Sequence, residues 1–342
     1  MKKFMRILSV VFSIVIAVGA FSGCSKEIES TPVDPADFRV TAYIVADGLN
    51  DSFDSSNLDR VTDIILIGNA TYSEDGTITL SENFDSQLKL LKSFITGQNL
   101  YLNILGPGSQ TDSDDWNEQM YDLADRNTAA FESGKLENEI KTVLQKYDFD
   151  GVFFDYEFPL RNKDWKAFDK FIIGLDDFLG DDYLIGMSMV GWNLKQSKEA
   201  MESTDMFEVM SYDLWDDDGN HATTQIAKDD IKQFVEKGYD KAKLDLGVPF
   251  YARPTTEEAY WYDYKAYYDK MSDDGLYQDA ETGLTFSFNT YDVIKEKTQY
   301  ALENGLGGMM IWHYACDVPA DNEKSLFGAI DSAKQEFIKS NN

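Results

Sequence analysis

The chain has 342 residues, 43% of them hydrophobic and 14% aromatic, which is enough to build a full core and excludes global disorder. A formal charge of −30 repels phosphate backbones and speaks against a nucleic-acid partner. Two cysteines, Cys24 and Cys316, and two histidines, His221 and His313, are too few for a Cys/His zinc cluster. No G-x-S-x-G turn accompanies the histidines to suggest a serine nucleophile. Chemistry in such a chain rests on carboxylates and tyrosines, with no metal or organic cofactor expected.

The first 24 residues read as an address. Lys2, Lys3 and Arg6 precede an apolar run from Ile7 to Phe21, which ends at Phe21-Ser22-Gly23-Cys24. A basic head, a short apolar stretch and small residues make an export signal. The run is short of the roughly 20 residues of a membrane span. Its Gly-Cys ending resembles the bacterial lipobox, which implies lipidation of Cys24 and a place in the bacterial cell envelope, exported and lipid-anchored. Phe21 stands where that pattern usually has an aliphatic residue, and a plain signal peptide or an uncleaved anchor is the alternative. Residues 25–37 are polar, hold Pro32 and Pro35, and read as a tether.

From Phe38 to the C-terminus, short apolar runs alternate with amphipathic helical stretches. Strands are expected at 39–45, 63–67, 100–105, 151–155, 184–189, 207–211, 244–248 and 308–312. Helices are expected at 84–96, 136–145, 165–178, 231–237 and 293–302. Eight strands with crossover helices predict an α/β fold, a (β/α)8 TIM barrel over residues 38–342. A doubly wound open sheet would carry a Gly-rich phosphate turn after its first strand, and none is visible. Residues 254–289, which hold the run YWYDYKAYYDK, break the rhythm and read as a small insertion between strands seven and eight.

The strongest local signal is Asp150-Gly151-Val152-Phe153-Phe154-Asp155-Tyr156-Glu157-Phe158-Pro159. Residues two apart in a strand point the same way, so Phe153, Asp155 and Glu157 share a face. Glu157 falls at the C-terminal end of its strand, where barrel enzymes keep their catalytic groups. Two acids on one face raise the cost of ionising each other, which keeps a carboxylic acid protonated near neutral pH. A half-exposed strand whose acids face water would give the same alternation.

That segment resembles the DGxDxDxE signature of glycoside hydrolase family 18, the chitinase family. Three further stretches are similar to the family's motifs, in the same order. They are Met210-Ser211-Tyr212-Asp213 at strand six, Gly247-Val248-Pro249-Phe250-Tyr251-Ala252-Arg253 at strand seven, and Gly307-Gly308-Met309-Met310-Ile311-Trp312 at strand eight. The resemblance implies cleavage of β-1,4 linkages beside N-acetylglucosamine by substrate-assisted retaining catalysis, in which the sugar's acetamido oxygen replaces an enzyme nucleophile. Carried over by position, Glu157 is the acid, Asp155 orients the acetamido N–H, and Tyr212 donates to the acetamido oxygen. Trp312 is implied as the floor under the sugar, with Asp213, Met210, Arg253 and Tyr43 lining the pocket. Trp192 and Trp215, just past strands five and six, are further sugar-stacking candidates.

Phe153 departs from the family pattern, which has an aspartate there. The insertion is also shorter than that of deep-cleft chitinases, implying an open groove. The implied partner is an N-acetylglucosamine-containing glycan bound by a monomer, with the membrane reached through lipid alone. Release of N-glycans, or glycan binding without catalysis, are the competing functions.

Overall fold

The computed structural model describes residues 34–256 and 260–341. The expected leader, Cys24 and most of the tether lie outside the described residues. Eight parallel strands close into a barrel: β1 (Arg39–Val45), β2 (Asp63–Ile67), β3 (Asn99–Asn103), β4 (Gly151–Phe154), β5 (Leu184–Met189), β6 (Met206–Val209), β7 (Leu244–Pro249) and β8 (Gly308–Trp312). Each strand pairs with its chain neighbours and β8 returns to β1, so the sheet has no open edge. The TIM-barrel expectation is met. Strand β2, Asp-Ile-Ile-Leu-Ile, is buried at all five positions, as expected for a parallel strand covered on both faces.

Two apolar layers result. Inside the barrel, Tyr43, Ile65, Tyr101, Phe153, Met206 and Met310 pack against one another. Outside it, helices α1 (Phe84–Lys92), α2 (Trp116–Glu132), α3 (Leu136–Tyr147), α4 (Asn162–Leu179), α5 (Lys198–Glu202), α6 (Thr224–Lys237), α7 (Tyr291–Glu303) and α8 (Leu326–Asn341) cover the strands. Helix α4 shows why: Trp165, Phe168, Phe171, Ile172 and Leu175 fall on one stripe at helical spacing and are buried. It starts three residues before the expected position because Asp164 accepts the backbone N–H of Arg161 at 2.8 Å, closing the first turn. Helix α6 likewise begins at Thr224, seven residues early, where the Thr223 hydroxyl accepts the Ile226 N–H at 3.3 Å. Helix α1 stops at Lys92 rather than 96; the Ser93 hydroxyl caps the Leu90 carbonyl at 2.6 Å there.

The insertion between β7 and β8 is an antiparallel sheet of Tyr262–Asp263, Tyr251–Pro254, Thr285–Ser287 and Leu276–Gln278, in that order. Its first strand starts at Tyr251, three residues ahead of the expected boundary. Tyr262 is sandwiched between Tyr267 and Phe286, with ring centroids 4.6 and 3.9 Å away. The tyrosine-rich run therefore builds the insertion's own small core.

Lys297 of α7 is fully buried and donates to the Ala222 carbonyl and the Asn289 side-chain oxygen, both at 2.6 Å. Burial pushes its ammonium down to about 7. Between that value and the unfolded value the unfolded chain holds a proton that the folded chain has lost, so folding is favoured as pH rises through this window. Urea unfolding at pH 7 and at pH 9.5 should show this gain in the natural protein relative to Lys297→Met. Equal pH dependence in the two proteins would exclude it.

Candidate active site

All the side chains of the site sit at or just beyond the C-terminal strand ends, the face on which barrel loops gather. They line an open cavity of about 560 Å³. Asp155 and Glu157 follow β4 and enter it from one side; Tyr212 and Asp213 follow β6; Trp312 ends β8; Tyr43 comes from β1 and Met210 from the end of β6. Arg253 reaches in from the first strand of the insertion, and Trp192 from the segment after β5. The peptide bonds Glu157–Phe158 and Trp312–His313 are cis.

Asp155 and Glu157 lie close enough for their carboxyls to share a hydrogen bond. Glu157 opens to the cavity, whereas Asp155 is recessed, and its Oδ1 is buried with no hydrogen-bond partner. Removal from water pushes Glu157 up to about 8, with the charge and hydrogen bond of Asp155 and then the charge of Asp213 acting in the same direction. Burial also raises Asp155, against the hydrogen bond from Glu157. The pair therefore holds a proton near neutral pH. Beneath it the Tyr43 hydroxyl lies 2.8 Å from that of Ser188, and burial holds the Tyr43 phenol well above its ordinary range. The Tyr212 phenol is raised in the same way, which keeps it a hydrogen-bond donor.

Asp213 plays the opposite part. Burial alone would raise it, but the Arg253 guanidinium and the Tyr251 hydroxyl, both hydrogen-bonded to it, outweigh burial and hold it below the usual carboxylate range. Arg253 donates to both of its oxygens at 2.9 Å, and the Tyr251 hydroxyl to one at 2.7 Å. A neutral acid, a recessed acid with an orphaned oxygen and a fixed anion thus share one cavity, with Trp312 edge-on to Tyr43 at 5.1 Å.

Trp215 is the one sequence candidate in the barrel that does not join the cavity. Its indole N–H donates to the Pro254 carbonyl at 2.9 Å, and it borders a separate depression with Asp216, Asp217 and Thr255. Conversely, Trp116, Phe158, Ser188 and Trp261 line the cavity and were not singled out from the sequence. Trp116 and Trp192 are 49% and 52% exposed, unusual for tryptophan in a folded chain. Asp115, which caps α2 by accepting the Glu118 N–H at 3.0 Å, is the available sequence signal for the position of Trp116. Trp261 stacks flat on Tyr251 at 3.5 Å and stands within the tyrosine-rich run. Among the described residues no cluster of His, Cys, Asp and Glu is arranged to hold a metal.

The profile of the Glycosyl hydrolases family 18 matches residues 39–317. Endochitinase 1 of Metarhizium robertsii is 23% identical over 243 residues, 56% of this chain and 57% of that protein. Chitinase 63 of Streptomyces plicatus is 25% identical over 236 residues, 54% of this chain and 38% of that protein. The match thus spans little more than half the length of the former and less of the latter. Among solved structures, a chitinase from the chitin utilization locus of Flavobacterium johnsoniae superposes with a TM-score of 0.69 at 20% identity, covering 88% of this chain and 94% of that one. A chitinase from Bacteroides thetaiotaomicron gives the same score at 18% identity, covering 87% and 97%. The matched profile spans the barrel from its first strand to just past its last, and on that ground the chain belongs to glycoside hydrolase family 18.

Proposed function

We propose that the protein hydrolyses β-1,4 linkages beside N-acetylglucosamine in chitin or its oligosaccharides, by substrate-assisted retaining catalysis. The observation that carries this reading is the acid pair: Glu157, lining the open cavity in surroundings that favour its acid form, beside a recessed Asp155 whose Oδ1 has no partner. In the reaction Glu157 gives its proton to the glycosidic oxygen. The sugar's own acetamido oxygen closes on the anomeric carbon as the leaving group departs. Asp155 accepts the acetamido N–H, and its charge offsets the positive charge that develops on the ring so formed. Tyr212 donates to the acetamido oxygen, and Trp312 supplies an apolar surface for the sugar's C–H face. Glu157, now ionised, takes a proton from water as it opens the cyclic intermediate.

Phe153 removes the carboxyl that the family pattern places below Asp155, so Asp155 shares its proton with Glu157 alone. Export and a lipid anchor on Cys24 are part of the proposal on the strength of the leader sequence: a glycan polymer is met outside the membrane.

The fragment from Ser25 onward, incubated with chitotetraose and with a high-mannose glycoprotein and read by mass spectrometry, tests the reading. Shorter chito-oligosaccharides are the expected products. Deglycosylation that leaves one N-acetylglucosamine on the protein would move the substrate to N-glycans. Binding without cleavage of either would make the protein a glycan-binding one.

A further inference from the structure

The segment joining β6 to α6 folds back on itself to reach Asp213. Asp213 and Ala222, neither of them glycine, adopt φ of 54° and 50°. The Ala222 N–H donates to the Leu214 carbonyl at 2.8 Å, and Trp215 pairs with His221 across the turn. His221, 1% exposed, is thereby brought under Asp213. Its Nε2 accepts the backbone N–H of Asp213 at 3.0 Å and lies 3.2 Å from Asp213 Oδ1. Its Nδ1 is buried without a hydrogen-bond partner.

A ring nitrogen that accepts an N–H carries no proton, so the imidazole in this arrangement is neutral, with its proton on Nδ1. A protonated imidazole would have to release the Asp213 N–H and turn a proton toward Oδ1, which already accepts from Tyr251 and Arg253. The two charge states thus hold Asp213 by different atoms, the neutral ring by its backbone N–H and the charged ring by Oδ1. His221 is itself clamped from the insertion and α7. Its N–H donates to Ser287 Oγ at 3.1 Å, its carbonyl accepts from Asn289 at 3.1 Å, and Lys297 holds the next carbonyl. The charged and titratable groups facing the ring are Asp213, Arg253, Lys297 and Tyr251. Burial lowers the imidazole against the pull of Asp213, which favours the neutral state.

We propose that neutral His221 is a positioning residue: by accepting the Asp213 N–H it fixes the Tyr212–Asp213 peptide, and with it the Tyr212 hydroxyl and the Asp213 carboxylate that face the sugar. The role in turnover rests on the function proposed above; the placement of Asp213 does not. Two variants separate position from bulk. In His221→Gln the side-chain carbonyl reaches the place of Nε2 and cannot titrate, whereas His221→Leu offers no acceptor.

The leucine variant should lose about 10²-fold in kcat with KM little changed, the scale on which small misplacements of reacting groups act. Glutamine should restore at least a tenth of the natural rate. In 15N-labelled protein the Asp213 amide resonance should move with the imidazole's titration in the natural protein, and should not titrate in His221→Gln. Full turnover in the leucine variant, a glutamine variant as slow as leucine, or an Asp213 amide indifferent to all three side chains would overturn the assignment. If the leucine variant does not fold, His221→Asn, whose carbonyl reaches only the place of Nδ1, replaces it. If the natural protein cleaves neither glycan, the proposed function fails, and the amide resonance alone decides the positioning role.

Discussion

Glu157→Gln should leave oligosaccharide binding intact while lowering kcat by about 10²- to 10⁴-fold, the usual worth of a positioned general acid–base group. The amide keeps the shape of the side chain and its place in the cavity but has no proton to give to a glycosidic oxygen. The pH profile carries the same information. Glu157 is held up to about 8, chiefly by removal from water, so the acid form prevails below that value and kcat/KM should fall as pH rises through it. Stability moves in step. A folded-state value raised above the unfolded one favours the fold at low pH, and that contribution is lost as pH climbs through about 8. Glu157→Gln should therefore match the natural protein in urea near pH 4 and exceed it near pH 9. A glutamine variant with more than a tenth of natural turnover would remove Glu157 from the role of acid.

The barrel was legible because parallel strands covered on both faces leave a plain mark in sequence. Leu184–Met189 and Gly308–Trp312 carry it, and their observed bounds coincide with the expected ones. Helices were legible only where a continuous apolar stripe exists. Helix α2 buries just Ala124, Asn127, Ala130 and Phe131 across seventeen residues, too thin a stripe to stand out. In α8 the buried residues from Leu326 to Ala333 crowd into the first half of the helix, and beyond them Phe337 is only half-buried while Ile338 is exposed.

The acids after β4 were legible because alternation along a strand is a local rule. The partnerships of Asp213 were not. Arg253 lies forty residues away and meets Asp213 through the insertion, while His221 meets it through a turn that needs two non-glycine residues in the left-handed region. Nothing in the local sequence announces either. Trp192 and Trp215 occupy similar places after consecutive strands, yet one faces the cavity and the other spends its N–H on Pro254. The path of the chain, not the residue type, makes that choice.

Gly186→Ala should destabilise the protein, and Phe153 is the reason. Phe153 is fully buried and pairs in register with Gly186 on the adjacent strand. A Cβ placed on Gly186 would lie 2.1 Å from Cε1 and 2.2 Å from Cζ of the Phe153 ring. The ring occupies the space that a side chain on β5 would take, and overpacking of this kind costs about 1–3 kcal/mol or more. Phe153→Leu should relieve part of it in the double variant, a coupling that a double-mutant cycle of urea midpoints measures directly. Phe153→Asp asks the complementary question. It empties a site walled by Ile65, Tyr101, Met206 and Met310, and truncating a core phenylalanine costs about 3–5 kcal/mol. Yet it also sets a carboxyl beside Asn103, its register partner on β3, whose amide is buried with both polar atoms unpartnered. A proton held at 153 and donated to Asp155 would favour the ionised form of Asp155, so the acid limb of kcat should move to lower pH in the weakened protein. A folded Phe153→Asp variant with an unmoved acid limb would mean that position 153 shapes the barrel and has no hand in the chemistry above it.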